Sequence, residues 1–165
     1  MSLSDEQKLV AAQFPEVLWS PEHRICVFRP EGELTGRVVA RLVVWLEAIE
    51  RDIPQPFSRF TDLTKLGTVN LSQFEVENVA FWRRTTYAGA LVKSAFLAGS
   101  NESCRVAEKY EALMEGSRIL VSVFRSIEEA ARWLRVPQEA IEEQKAGGPP
   151  EGAAAPPREE KMGDP

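Results

Sequence analysis

Apolar residues change their period at Thr35. Upstream of it, EVLWS and HRICVFRP are two extended runs joined at Ser20-Pro21-Glu22, where proline sets a turn-like φ and disfavours helix in the residue before it. A β-hairpin is the expected result. Downstream, Val38, Val39, Leu42, Val43, Leu46 and Ile49 recur at helical spacing, while Arg37, Arg41, Glu47 and Glu50 are expected to face away. Thr35 suits an N-cap, and Pro54 and Pro56 end the helix. FSRFTDL then alternates as a strand, with Phe57 and Arg59 on one side and Ser58 and Phe60 on the other. A second helix is expected to open near Asn70 to Ser72 and to run through QFEVENVAFWRRTTY, with Phe74, Phe81 and Trp82 supplying much of its buried surface and Gly89 breaking it.

The second half repeats the rhythm. ALVKSAFLAG is apolar nearly throughout and reads as a strand covered on both faces. Asn101 is the expected N-cap of NESCRVAEKYEALMEG, whose apolar face is Cys104, Val106, Ala107, Tyr110 and Met114 and whose end is Gly116. RILVSVF, rich in β-branched residues, is a strand. SIEEAARWLRV follows with a capping-box pair, Ser126 and Glu129, and an inward face of Ile127, Ala130, Ala131 and Leu134. The order β-β-α-β-α-β-α-β-α predicts an α/β fold: a four- to five-stranded, mostly parallel sheet with an antiparallel edge strand and about four helices. Residues 1–15 form an N-terminal extension, read as a short helix capped by Ser4 with Asp5 and Glu6 in its first turn. Residues 137–165 are a C-terminal segment. From about Lys145 it turns to KAGGPPEGAAAPPREEKMGDP, too poor in apolar surface to offset chain entropy, and a disordered tail is expected.

Composition narrows the function by exclusion. A net charge of −5 opposes phosphate-backbone and anionic-lipid binding, so nucleic acid is not an expected partner. No apolar run approaches the roughly 20 residues that cross a bilayer. Asp5 and Glu6 stand where a leader would be basic, so the cytoplasm is the expected location. The two cysteines, Cys26 and Cys104, fall in different elements and are expected to be free and largely buried. His23 is the sole histidine and has no metal-ligand grouping around it. Without a second histidine, Ser103-Cys104 has no base to form a nucleophilic pair. Gly67 belongs to no phosphate-binding glycine motif. Arg83 and Arg84 before Thr85 and Thr86 read as basic residues at a helix end in preference to a phosphorylation site. No catalytic residue, metal site or cofactor is expected.

Three stretches carry a family resemblance: EGELTG at 31–36, FTDLTKL at 60–66 and, most specific, VFRSIEEAARWL at 123–134. Through them residues 16–136 resemble the STAS superfamily, in particular its SpoIIAA-like branch of bacterial, anti-sigma-factor-antagonist-like domains. The resemblance implies a non-enzymatic regulatory or scaffolding module that binds a protein partner through its strand-end loops and second helix, here Asp62, Thr64, Asn70, Ser72 and Phe74. Antagonists of this type carry a reversibly phosphorylated serine at the start of that helix. Asn70-Leu71-Ser72-Gln73 aligns with their motif, so Ser72 is the candidate phosphorylation site, although the other three residues differ from the pattern and Ser72 equally suits an unmodified N-cap. Kinship with CRAL-TRIO domains implies an alternative: a carrier or sensor of a small apolar molecule or lipid, bound near the carboxyl ends of the strands with Phe81, Trp82 and Tyr87 at the groove. An enzyme is the third and least supported reading, and a homodimer is left open.

Overall fold

The computed structural model describes residues 17–142. The N-terminal helix and the disordered tail expected from the sequence lie outside the described residues. In chain order the elements are β1 (Val17–Ser20), β2 (Ile25–Phe28), β3 (Gly32–Thr35), α1 (Gly36–Asp52), β4 (Ser58–Asp62), β5 (Leu66–Asn70), α2 (Gln73–Thr86), β6 (Val92–Leu97), α3 (Asn101–Leu113), β7 (Ile119–Phe124), α4 (Ile127–Leu134) and a 3-10 turn, Gln138–Ala140. Five strands form one sheet in the order β1-β2-β4-β6-β7, antiparallel between β1 and β2 and parallel elsewhere. This is the mixed α/β sheet with an antiparallel edge predicted from the order of elements.

The layering follows from chain direction. After the hairpin, each new strand is added on the same side of the last, β2 to β4 to β6 to β7. Right-handed crossovers therefore place α1, α2 and α3 on one face of the sheet. The last helix, α4, has no further strand to feed and folds across the other face, where Ala130, Ala131 and Leu134 meet Ile25, Val27, Phe60, Ala95 and Leu97. Ile141, beyond the 16–136 span, is fully buried in the same cluster. On the first face α1 packs Trp45, Leu46 and Ile49 onto Cys26, Phe28 and Phe57.

Four details depart from the sequence reading. The strands β3 and β5 were not anticipated: they pair in parallel as a separate two-stranded sheet, with a register shift between Gly32 and Glu33. Each has too few apolar residues to show a period of two, and their partnership spans a whole helix and strand, which no local pattern encodes. The N-cap of α3 is Ser100, not Asn101. The Ser100 side chain accepts from the Ser103 N–H while Ser103 Oγ accepts from the Ser100 N–H. Ser103 is consequently the buried residue of that turn and Cys104 is only half-buried. Gly89 does not end α2, which stops at Thr86 with the Tyr87 N–H on the Arg83 carbonyl.

The fourth departure is the largest. Phe74, Phe81 and Trp82, expected to bury α2, are 68%, 69% and 51% exposed. The inward residues are Val76, Ala80 and Arg83. At 3.6 residues per turn, Phe74 and Phe81 lie about 140–160° around the helix from Val76, so α2 carries two apolar stripes. Its neighbours meet the stripe with the smaller apolar side chains, which lets the helix approach closely.

Candidate functional site

The corner around Ser72 is built by capping. Ser72 Oγ accepts from the Glu75 N–H at 3.2 Å, and the Glu75 carboxylate accepts from the Ser72 N–H at 2.8 Å and from its hydroxyl at 2.9 Å. These bonds hold the Glu75 carboxyl below its ordinary value, because they favour the charged form. Asn70 ends β5, exposed, and donates to Glu33 Oε1 at 3.0 Å. Thr64, also exposed, is held through Asp62 Oδ1, which accepts both its N–H at 3.0 Å and its hydroxyl at 2.6 Å. Asp62 itself is buried, with its second oxygen 3.5 Å from Arg29 Nε. Asn70, Ser72, Phe74 and Thr64 are thus presented to solvent, and Asp62 shapes the loop from beneath. Gly99 fixes the same loop from the other side, since a Cβ there would come within 2.7 Å of Thr64 Cα.

Outside the corner α2 displays Phe74, Phe81 and Trp82. Trp82 is anchored by its indole N–H, which donates to Glu47 Oε1 at 2.6 Å, and the same oxygen accepts the Thr86 hydroxyl at 3.0 Å. Thr85 donates back to the Phe81 and Trp82 carbonyls. Arg84 donates to the carbonyls of Leu113 and Glu115 at the end of α3, at 2.8 and 2.7 Å. Each member of the Arg-Arg-Thr-Thr run is therefore held in an internal contact, Arg83 most deeply.

Beneath this face lies a cluster that sequence reasoning missed. Glu50, expected to point away, turns inward between Arg59 and Arg83. Arg83 donates to both its oxygens, at 3.1 and 2.5 Å, and Arg59 Nη2 donates to Oε1. Arg59 also donates to the Phe57 carbonyl at 2.8 Å. Its guanidinium lies 4.6 Å from the Phe57 ring centroid and 5.3 Å from that of Tyr87, with Arg83 at 5.6 Å from the latter, distances at which an aromatic face attracts a cation. The legible signal was Arg59 itself, a charged residue on the same side of a strand as Phe57. Nearby, burial pushes the Cys26 thiol and the Tyr110 phenol each up to about 12, against the opposing pull of the arginines.

Two concavities meet at this cluster. One is a cavity of about 120 Å³ between the sheet and helices α1, α2 and α3, walled chiefly by apolar residues such as Leu42, Val43, Val79, Phe96 and Ala107, with Arg59 and Arg83 among its polar lining. The other is an open groove of about 470 Å³ along the ends of α1 and α2, lined by Pro54, Pro56, Trp82, Thr86 and Tyr87 as well as Glu50 and Arg59. Trp82 and Tyr87 thus line the groove, whereas Phe81 lines neither. The cavity runs along the sheet face. Toward the carboxyl ends of the strands its lining includes Leu34, Leu63, Leu71 and Ala107, residues that also pack together there.

Among the described residues, no group of three or more His, Cys, Asp or Glu is placed to hold a metal ion. His23 sits in the β1–β2 turn, its N–H 3.4 Å from Ser20 Oγ. Cys104 donates its thiol to Glu108 Oε1. No helix of the described residues is long and apolar enough to cross a membrane.

The element order defines the class, a mixed α/β sheet with helices on both faces. No family model matches the chain, and no curated protein does. Among solved structures it is similar to an uncharacterized protein from the DUF3478 family with a SpoIIAA-like fold, from Shewanella loihica PV-4. The two are 16% identical, the match covers 72% of this chain and 90% of that one, and the TM-score is 0.49. The likeness concerns fold alone.

Proposed function

We propose that this chain is a non-enzymatic, cytoplasmic protein-binding module that regulates or scaffolds through the outward face of α2 and the adjoining Ser72 corner. The observation that carries the reading is the exposure of Phe74, Phe81 and Trp82 on one helix whose other side is seated on the fold. Large aromatics are enriched at interface hot spots, and a helix with an unpartnered apolar stripe is a common recognition element. Thr64, Asn70 and Ser72 would form the polar rim. Phosphate on Ser72 would repel the Glu75 carboxylate that accepts its hydroxyl proton, so modification would open the capping box as well as add charge.

Affinity capture from the source cells tests the reading, comparing the wild-type chain with Phe74→Ser/Phe81→Ser. The expected result is a protein retained by the first and lost from the second. Identical retained sets would overturn it.

A second reading, a carrier or sensor of a small apolar molecule, is supported by the cavity along the sheet face, whose walls are almost wholly apolar.

A further inference from the structure

The cavity reading leaves the ligand's polarity undefined, and the arginine cluster supplies it. We infer that the cavity takes a small organic monoanion, a compact apolar body bearing one carboxylate, with the body between Val43, Val79 and Phe96 and the carboxylate on the Arg59–Arg83 pair. This rests on the reading of the cavity as a ligand site.

Charge is the first argument. The side chains of Arg59 and Arg83 are 6% and 3% exposed and share one carboxylate, that of Glu50 at 14%. Two cations against one anion leave a net positive charge in a place where an uncompensated ion is costly. Satisfaction is the second. Arg59 Nε is buried and has no hydrogen-bond partner among the described residues, whereas buried donors are normally matched. Location is the third. Both arginines line the cavity, whereas the groove on the other side of the cluster is lined by Glu50 and, of the two arginines, by Arg59 alone, so an anion that meets both guanidiniums lies on the cavity side.

The described residues do not supply that anion. Glu75 is the sole carboxylate lining the cavity and is bound to Ser72, while Asp62 is engaged by Thr64 and Arg29. A guanidinium fork matches a carboxylate in plane and spacing. A single aromatic ring is the upper limit for the body, since benzene occupies a cavity of about 150 Å³ and this one is about 120 Å³. The hydroxyls of Thr61 and Ser94 also line the cavity and can turn toward the carboxylate.

The test is a methyl NMR titration of the full chain with benzoate, toluene and acetate in parallel. Benzoate is expected to shift the Val43 and Val79 methyls and to bind roughly tenfold tighter or better than either of the others. The Val79→Phe variant, which fills the cavity from α2, is expected to lose both benzoate and toluene. If toluene binds as well as benzoate, the monoanion inference falls and the apolar cavity reading stands. If acetate equals benzoate, the apolar body has no role and the inference again falls. If none of the three binds, both fall.

Discussion

The two faces of the central sheet are closed in different ways. Under α4 the buried contact is apolar, small alanines letting the helix settle onto Phe60 and Ala95, each 0% exposed, and one half-buried cation, Lys93, donates to the Trp133 carbonyl. Under α1, α2 and α3 the floor holds Arg59, Thr61 and Ser94 beside apolar neighbours, and the layer encloses a cavity and an ion cluster. The first face has what a stable fold requires. The second departs from close packing and from apolar lining in the same place, and such local departures are where function tends to lie.

Substitutions that strike each face separately break the comparison. Phe60→Ala, on the α4 face, is expected to cost about 3–5 kcal/mol in denaturant unfolding, through lost transfer energy and an unfilled void. On the other face Glu50→Gln keeps the shape and removes the charge that joins two guanidiniums, with an expected loss of about 3 kcal/mol. A loss of only a few tenths would show the arginines already balanced by another group.

Cys26, under α1, makes the same face sensitive to alkali. Its folded value, about 12, lies above the ordinary 9.0, so the thiol keeps its proton in the folded state when the unfolded chain has lost it. The contribution is whole below pH 9.0 and declines as pH rises, by up to about 1.4 kcal/mol per pH unit. Cys26→Ala should flatten that decline in unfolding curves taken across the range.

Smaller effects sharpen the contrast between the two sides of α2. Ser72→Ala removes the capping box and should cost about 1 kcal/mol. Phe81→Ser, on the outward stripe, should change stability by no more than about 0.5 kcal/mol, leaving any loss of partner binding attributable to the surface. A loss of several kcal/mol would mean that Phe81 packs within the fold.

The sheet and its helices were legible in the sequence because each rests on a local period or cap: Val38 to Ile49 for α1, the run from Ile119 to Phe124 for β7, Ser126 for α4. Two kinds of feature were not. The pairing of β3 with β5 joins segments remote in sequence, and the choice between two apolar stripes on α2 depends on what packs against it. Size misled there: Phe81 and Trp82 read as core by bulk, while Val76 and Ala80 are inside. The inward turn of Glu50 was hidden for a related reason, because a charge on a helix reads as solvent-facing until a buried arginine on a distant strand claims it. The Ser72 corner was found from its capping chemistry, a local property, and its exposure follows from the β5–α2 junction.

The claim that α2 faces a partner is tested most directly by carbene footprinting of the chain alone and with whatever protein it retains from its own cells. The account predicts that labelling of Phe74, Phe81 and Trp82 falls together in the complex while Leu18 and Leu91, exposed elsewhere, label as before. Unchanged labelling on the α2 aromatics, with protection at Leu18 or Leu91 instead, would contradict it.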